Sequence, residues 1–393
     1  MTSDCALFAT ALYLPPRMSQ AIELNTTPFG HITNMNDLWG WISESVDHFR
    51  QTGDRRRFEI ATLYHHAMQS MDTNPQESLE RLYQARQLAE RFGERWWVVL
   101  CDHWRAQVLI NHTGEIDEGL QTALHAIAIA ESDPIFRQLP QRVCLRDDRA
   151  SALQLMDPFG YETEIKDACD YIEDEGVGLE GCGHCMRSIR IDMMILNENL
   201  AGAQELAIEG LKSCRTKTSS HYTPQYYTAL CRISFIRKDW EQLKHWSSPG
   251  PLFYGKMGSE ISNAELLIWN ALALRQTGDE CGAKDSYRLA RSVQRRAAHG
   301  QTPGFYDALA VYYEMGGVLW LALVARNIEL EKTSGAPYRE CCTRLERLRL
   351  MKAIGLPTDE EAGLVREAAI RLRDPKPVLR KLAELDPEIS PAQ

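Results

Sequence analysis

The pattern of apolar and polar positions is helical along almost the whole chain. Apolar residues recur at spacings of three and four, and short turns rich in Gly, Asp, Asn and Pro separate the periodic segments. No alternating run of β-branched residues is long enough to predict a sheet. The chain is therefore expected to be all-α. The predicted helices cover residues 36–51, 55–71, 75–92, 95–111, 116–132, 138–155, 161–173, 184–197, 201–215, 223–237, 239–246, 260–276, 280–298, 303–331, 337–353, 358–373 and 375–385.

A turn followed by an amphipathic helix repeats at a nearly constant interval. Thr113-Gly114-Glu115 opens one copy, and Thr277-Gly278-Asp279 opens a later one. One position of each copy, small or apolar in most of them, serves to align the repeats. It lies near Ser78, Gly119, Glu164, Ala203, Leu243 and Ala283, so successive copies are 41, 45, 39, 40 and 40 residues apart. A period of this length, filled by two helices, indicates a solenoid of stacked helix pairs.

Small residues inside the pairs predict close contact between neighbouring helices. Ala271 lies one turn after Leu267, and beyond the turn Ala283, Tyr287 and Ala290 share one helical face. This small-and-large alternation around a Gly-acidic turn resembles the tetratricopeptide repeat family over roughly residues 55–300. The resemblance implies a right-handed α-solenoid whose concave groove is lined by the first helix of each pair.

The domain organisation follows from the extent of the repeats. Residues 1–34 have mixed polarity and no sustained period, which indicates an irregular N-terminal arm. Residues 35–393 are expected to form one helical-repeat domain, with 300–393 as divergent C-terminal or capping helices.

Composition and charge limit the classes of partner that this protein is expected to bind. The net charge of −10 and the pI of about 5.6 argue against non-specific binding to nucleic acid, which requires a basic surface. The apolar run at 5–14 ends in Pro15-Pro16 without a cleavage-site pattern, and no segment is long and apolar enough to predict a membrane span. We therefore expect a cytoplasmic protein that contacts neither nucleic acid nor a membrane.

The cysteines carry the sharpest chemical pattern. The chain has 11 cysteines, and Cys182 and Cys185 form a C-x2-C motif that is followed by Cys214 and His221. If the motif is a turn from which one helix departs and to which an antiparallel helix returns at Cys214, all four residues meet at one edge of the stack. Three thiolates and one imidazole are an ordinary ligand set for structural Zn²⁺. The sequence thus predicts a zinc site at Cys182, Cys185, Cys214 and His221, with His184 as a substitute ligand.

Two other interpretations of these cysteines stay open. Reduced cysteines are common small residues in protein cores. The tetrapeptide Cys182-Gly183-His184-Cys185 also resembles the active site of thioredoxin-family disulfide isomerases, although the acidic segment 170–180 before it is unlike the buried strand of that fold.

Helix phase predicts which residues face the groove. If Tyr227, Leu230 and Cys231 contact the partner helix, then neighbouring positions on the same helix point to the concave side. Equivalent positions elsewhere give a partner-binding set of Trp104, Asn111, Arg187, Arg190, Gln225, Thr228, Arg232 and Arg275. Trp104 belongs equally to a cluster with Trp96 and Trp97, for which packing in the core is the simpler expectation.

The functional expectation is a binding protein. A glycine-rich phosphate loop, a G-x-S-x-G elbow and a paired-carboxylate motif in a convincing context are all missing from the sequence, so we expect no enzymatic activity. A scaffold or adaptor that binds a protein or peptide in its groove fits best. A regulatory sensor or inhibitor of the same fold is an alternative, and a thiol-redox or metal-dependent enzyme using Cys182 and Cys185 is another.

Overall fold

The computed structural model describes residues 45–47, 49–71, 73–132, 141–175, 180–214, 222–249, 260–296, 303–333 and 335–385. The arm at 1–34 and the expected helix start at Asn36 lie outside these residues. Within the described ranges there are helices and no strands, which confirms the all-α prediction. None of the described helices is long and apolar enough to cross a bilayer.

The helices fall close to the segments predicted from the periodicity. In chain order they are α1 Arg55–Ser70, α2 Pro75–Phe92, α3 Arg95–Val108, α4 Ile116–Ser132, α5 Gln141–Met156, α6 Glu162–Glu175, α7 Glu180–Leu196, α8 Leu200–Ser213, α9 Thr223–Ile236, α10 Trp240–Ser247, α11 Glu260–Gln276, α12 Glu280–Arg296, α13 Pro303–Met315, α14 Leu319–Thr333, α15 Pro337–Ala353, α16 Asp359–Ile370 and α17 Lys376–Leu385. A π-helical turn, Leu109–Thr113, extends α3.

Polar caps and glycines set the helix ends. The side chain of Asp239 accepts a hydrogen bond from Gln242 N at 3.0 Å, and Asp279 does the same for Gly282 N at 2.8 Å. Each cap satisfies one of the N–H groups that the first helical turn leaves without a backbone partner. At the preceding helix end Gly278 has a φ of 90°, a left-handed conformation that glycine adopts without strain.

One predicted helix is two. The expected segment 303–331 divides into α13 and α14, because the chain turns at Gly316-Gly317, where Gly317 has a φ of 74°. Apolar residues continue on both sides of this turn without polar punctuation, which is why the periodicity alone indicated one continuous helix.

The described helices belong to two compact units. Unit 1 comprises residues 1–152, 166–186 and 216–219, and unit 2 comprises 153–165, 187–215 and 220–393. In unit 1, α1 to α4 pack in sequence, each against the next. The fully buried ring of Trp97 meets that of Tyr64 edge-on at 5.6 Å. A fully buried side chain of this size stabilises the fold by about 1.5–3 kcal/mol.

Unit 2 shows the packing expected of stacked helix pairs. Helix α9 packs against α10 and α11, α11 packs against α12 and α13, and α13 packs against α14. Ala271, Ala283 and Ala290 are all completely buried, which confirms that small residues line the contacts between these helices. The first helix of each pair therefore lies beside the first helix of the next pair.

The first and last elements of unit 2 are in contact. The rings of Phe159 and Tyr338 meet edge-on at 5.7 Å, and Asp157 Oδ2 accepts a hydrogen bond from Asp374 N at 2.6 Å. Leu196 at the end of α7 packs against the same C-terminal core as Phe159. Residues near the beginning of unit 2 and residues near its end thus belong to one hydrophobic cluster.

Candidate functional site

The residues of the predicted zinc site are only partly within the described structure. Cys182 lies in the first turn of α7, with its side chain outside the described set, and His221 is outside it altogether. The C-x2-C motif was expected in a turn before the helix, and this was wrong, because α7 already begins at Glu180. In unit 1 the thiol of Cys185 is hydrogen-bonded to Asp147. In unit 2 Cys214 follows the end of α8, and its hydrogen-bond partner is Thr223.

No metal site is assembled by the described side chains. Among them there is no group of three or more His, Cys, Asp or Glu residues arranged to hold a metal ion. The side chains of Cys182 and His221 lie outside the described set, so the zinc site with its four ligands stays a prediction.

In unit 1 the two predicted groove residues differ in exposure. Trp104 is buried, and its ring contacts that of His103 at 4.9 Å. Asn111 is exposed on the π-helical turn. Trp96 and Trp97 are buried as well, so the expected core packing of the tryptophan cluster agrees with the structure.

In unit 2 several predicted groove arginines contact the protein itself. Arg275 lies 3.9 Å from the ring centroid of Tyr312 and donates a hydrogen bond to Tyr312 O at 3.0 Å. Arg187 lies 3.4 Å from Ser213 Oγ and 3.9 Å from a Glu209 carboxylate oxygen. Arg190 is partly buried on α7.

The remaining predicted residues lie on one face of α9. Gln225, Thr228 and Arg232 follow one another at helical spacing. Arg232 forms an ion pair with Asp192 at 2.7 Å, in which the two side chains keep 35% and 36% of their surface exposed. Among the residues that the structure describes, Gln225 Nε2 and Thr228 Oγ1 are buried atoms without a hydrogen-bond partner, and such atoms are costly to leave unsatisfied. The polar group that this face exposes is therefore the Arg232–Asp192 pair.

Electrostatic interactions link Arg232 to charged residues of several other helices, directly or through Asp307. We call the set of Asp192, Arg232, Glu265, Asp307, Arg326, Glu329 and Arg339 the unit 2 charge cluster. Its members come from α7, α9, α11, α13, α14 and α15. Arg232 interacts electrostatically with Glu265 and Asp307, which belong to the first helices of the next two pairs.

Glu265 on α11 interacts with both positive and negative members of this charge cluster. Burial raises the pKa of its carboxyl, while Arg232, a hydrogen bond from Trp269 Nε1 at 3.3 Å and Arg339 act in the opposite direction. A methyl group added at Gly304 would lie 2.5 Å from Glu265 Oε2. That oxygen therefore lies directly against the first turn of α13, whose N–H groups attract negative charge.

Arg326 forms ion pairs with two carboxylates, whose pKa values shift in opposite directions. Its Nη1 is 2.5 Å from Asp307 Oδ1 and 2.7 Å from Glu329 Oε2. Burial raises the pKa of Asp307, but Arg326, Arg339 and Arg232 together outweigh that effect and lower it. Burial and the negative charge of Asp307 raise the pKa of Glu329 to about 7. Of the two carboxyls that contact Arg326, Asp307 therefore stays ionised to lower pH than Glu329.

A second group of buried polar residues lies in unit 1. Asp102 is 1% exposed, forms an ion pair with Arg86 at 2.7 Å and accepts a hydrogen bond from Arg105 Nη1 at 3.0 Å. His103, one residue further on, has its Nε2 3.7 Å from Asp148 Oδ2, and burial lowers its pKa to about 3. His103 is therefore neutral in the folded protein, and the group around Asp102 is a structural ion-pair network.

Most of the unit 2 charge cluster was missed by the sequence analysis, although the repeat contains a signal for it. Glu265 lies 40 residues after Gln225, which is one repeat period, so the phase of the predicted groove residue leads to it directly. Asp192 stands 40 residues before Arg232 in the same way. The contribution of α14 and α15 has no such signal, because the repeat pattern weakens beyond residue 300.

Comparison with known proteins adds no family assignment. No protein-family model matches this chain, and no curated protein matches it significantly.

Proposed function

We propose that this chain is a non-catalytic scaffold or adaptor, acting in the cytoplasm, that binds a protein or peptide segment in unit 2. The segment contacts the α9 face of Gln225, Thr228 and Arg232 together with the charge cluster beside it. The observation that carries the proposal is the polar α9 face itself, on which Arg232 keeps 35% of its side-chain surface exposed while pairing with Asp192, one and two turns beyond the half-buried side chains of Thr228 and Gln225. An extended peptide supplies both carbonyl and N–H groups, which guanidinium, hydroxyl and amide side chains can bind.

The test is a selection of displayed peptides against the full-length protein. Selected peptides are then measured against wild type, the double variant Gln225→Ala/Thr228→Val and the control Lys284→Ala, whose side chain is exposed on α12. We expect binding to wild type and control, and a loss of about tenfold or more in the double variant, because each lost charge-free hydrogen bond contributes about 0.5–1.5 kcal/mol. Equal binding to all three proteins, or a selection that yields no binding peptide, would refute the proposal.

A second candidate function is thiol–disulfide exchange at Cys182 and Cys185. The observation in its favour is that both residues lie within the first two turns of α7, three positions apart. Neighbours at this helical spacing are close enough for a disulfide, and a helix N-terminus favours the thiolate.

Elemental analysis of the native protein, combined with a thiol titration, separates the interpretations of these cysteines. About one zinc per chain, with thiols protected until chelation, supports the predicted structural zinc site. A metal-free protein in which Cys182 and Cys185 form a reversible disulfide supports the redox function. Free, unreactive thiols without metal would exclude both.

A further inference from the structure

Two helices of unit 1 begin with arginines. Helix α1 starts with Arg55, Arg56 and Arg57, and α3 starts with Arg95. Neither helix has an acidic residue in its first turn, although the N–H groups of a first turn favour negative charge and disfavour positive charge. The stability of these two helices therefore gives no reason for the arginines at their starts.

Two contacts bring these helix ends together. The guanidinium carbon of Arg56 lies 5.2 Å from the ring centroid of Phe92, which is the last residue of α2. Arg57 Nε donates a hydrogen bond to Glu94 Oε1 at 2.8 Å, and Glu94 directly precedes α3. The first turn of α1, the last turn of α2 and the first turn of α3 thus meet at one corner of unit 1.

The charges at this corner are mostly positive. Arg91 and Arg95 belong to it as the chain neighbours of Phe92 and Glu94, because adjacent Cα atoms are only about 3.8 Å apart. Arg95 donates a hydrogen bond to Ser132 Oγ at 2.8 Å. We call the following set the unit 1 arginine corner: Arg55, Arg56, Arg57, Arg91 and Arg95.

Three of these arginines are available to a ligand. Arg57 is paired with Asp54 at 3.3 Å and with Glu94 at 2.8 Å. Arg55, Arg56 and Arg91 are exposed, and none of them forms an ion pair with a residue in the described part of the chain. The corner thus presents three guanidinium groups without a carboxylate partner there, on the surface of a chain whose net charge is −10.

Carboxylates surround the corner and limit the size of what it can bind. Glu59 is exposed one turn further along α1. Glu90, next to Arg91, and Glu131, next to Ser132, keep 49% and 52% of their side-chain surface exposed although each is paired with an arginine. A long polyanion such as nucleic acid would extend from the corner over these carboxylates, and like charges at close range oppose binding. A short anionic segment avoids them.

We propose that the unit 1 arginine corner binds a short acidic segment of a partner protein, whose carboxylates pair with Arg55, Arg56 and Arg91. A guanidinium group donates two parallel hydrogen bonds to one carboxylate, which a single ammonium group cannot do. Arg56 is already held against the ring of Phe92, so less side-chain freedom is lost when it binds. This surface belongs to unit 1 and does not depend on the binding proposed for the α9 face of unit 2.

The test uses a fluorescein-labelled octaglutamate peptide as the probe, titrated against the full-length protein by fluorescence anisotropy in roughly 50 mM salt, where charges are weakly screened. The corner variant replaces the three available arginines by glutamine: Arg55→Gln/Arg56→Gln/Arg91→Gln. The matched control removes three positive charges from exposed positions on α16 and α17: Arg366→Gln/Arg380→Gln/Lys381→Gln. Circular dichroism and melting curves establish that each protein is folded.

The expected result is a loss that depends on position. The corner variant binds the peptide at least about tenfold more weakly than wild type, because three charge-assisted contacts are removed, whereas the control stays within about twofold of wild type. Added salt weakens the binding of wild type more steeply than that of the corner variant. An oligothymidylate of equal charge binds wild type more weakly than the peptide does.

Three outcomes overturn the proposal. Octaglutamate that fails to bind wild type shows that the corner is only a solvated surface. An equal loss of affinity in the control and the corner variant shows that binding follows net charge and not position. Tighter binding of the oligothymidylate shows that an acidic protein segment is the wrong class of ligand. Failure of the proposed function is distinguishable from all three, because it is measured with selected peptides on Gln225→Ala/Thr228→Val.

Discussion

Replacing Gly210 by alanine tests the close packing of the helix pairs in unit 2. Gly210 lies in α8 and faces the ring of Tyr226 in α9, a side chain with 0% exposure. A Cβ atom at this position would lie 2.3 Å from Tyr226 Cε1, 2.4 Å from Cζ and 2.8 Å from Cδ1. These separations are far below van der Waals contact, so either the ring or the helix has to move.

The magnitude follows from two opposing effects. Overpacking of a well-packed core costs about 1–3 kcal/mol. Replacing glycine by alanine inside a helix returns about 1 kcal/mol through backbone entropy. Because Tyr226 is enclosed on all sides, we expect the steric effect to be the larger and the variant to lose about 1–2 kcal/mol of unfolding free energy.

Gly363→Ala provides the matched control. Gly363 lies in α16, and an added Cβ would meet no atom within 4 Å. The same substitution there should stabilise the protein by up to about 1 kcal/mol. Urea unfolding followed by far-UV circular dichroism gives both values under identical conditions.

A second substitution tests whether the loss of stability comes from the contact with the Tyr226 ring. Tyr226→Leu removes the ring atoms that the new methyl group would meet, so the double variant Gly210→Ala/Tyr226→Leu should be more stable than the sum of the single effects indicates. If Gly210→Ala were as stable as Gly363→Ala, the close contact between α8 and α9 would be refuted.

Three further predictions concern buried polar groups. His103→Gln should make the protein less sensitive to acid. Burial lowers the folded-state pKa of His103, so the wild type loses up to about 1.4 kcal/mol of unfolding free energy per pH unit as the pH falls from about 6.5 towards 3. Urea unfolding at pH 7 and pH 5 measures this loss, and an equal loss in wild type and variant would contradict the prediction. Glu329→Gln should have the opposite pH dependence, because the raised pKa of Glu329 gives the wild type stability below about pH 4.5 that is lost as the pH rises through about 7. The unfolding free energy of the variant, relative to that of wild type, should therefore increase between pH 5 and 8. A difference that stays constant over this range would contradict the raised pKa. Asp157→Ala should destabilise unit 2 by about 3 kcal/mol, since its carboxylate accepts from the backbone N–H groups of Gly160 and Asp374, whereas Asp285→Ala on the exposed face of α12 should change the midpoint of thermal unfolding little.

The positions of the helices could be predicted because their determinants are local. Asp239 and Asp279 cap helices through contacts three residues away, and Gly278 ends one with a backbone conformation of its own. These interactions exist as soon as the neighbouring residues are helical, whatever the rest of the chain does. The division at Gly317 was missed because its only local mark is a glycine pair inside an apolar stretch.

The candidate site was less predictable because its residues are far apart in sequence. Helix phase places Gln225, Thr228 and Arg232 on one face of α9, since this depends only on helical geometry, and their role in a groove stays a prediction. It gave no indication that Arg275 would lie on Tyr312, 37 residues away, or that Cys185 would contact Asp147. Whether an arginine faces a ligand or its own protein is decided by which aromatic ring or carboxylate the neighbouring helix presents.

By itself the sequence determined that this protein is built of helices, where most of them begin and end, and that small residues allow successive pairs to pack closely. These properties depend on the spacing of apolar residues and on short-range hydrogen bonds. The tertiary structure alone decided which charges meet. Asp192, Arg232, Glu265, Asp307 and Arg339 lie on five different helices, and the effect of each depends on burial and on the distance to the others. Electrostatic interactions and desolvation act through space, so neither can be evaluated until folding has set those distances.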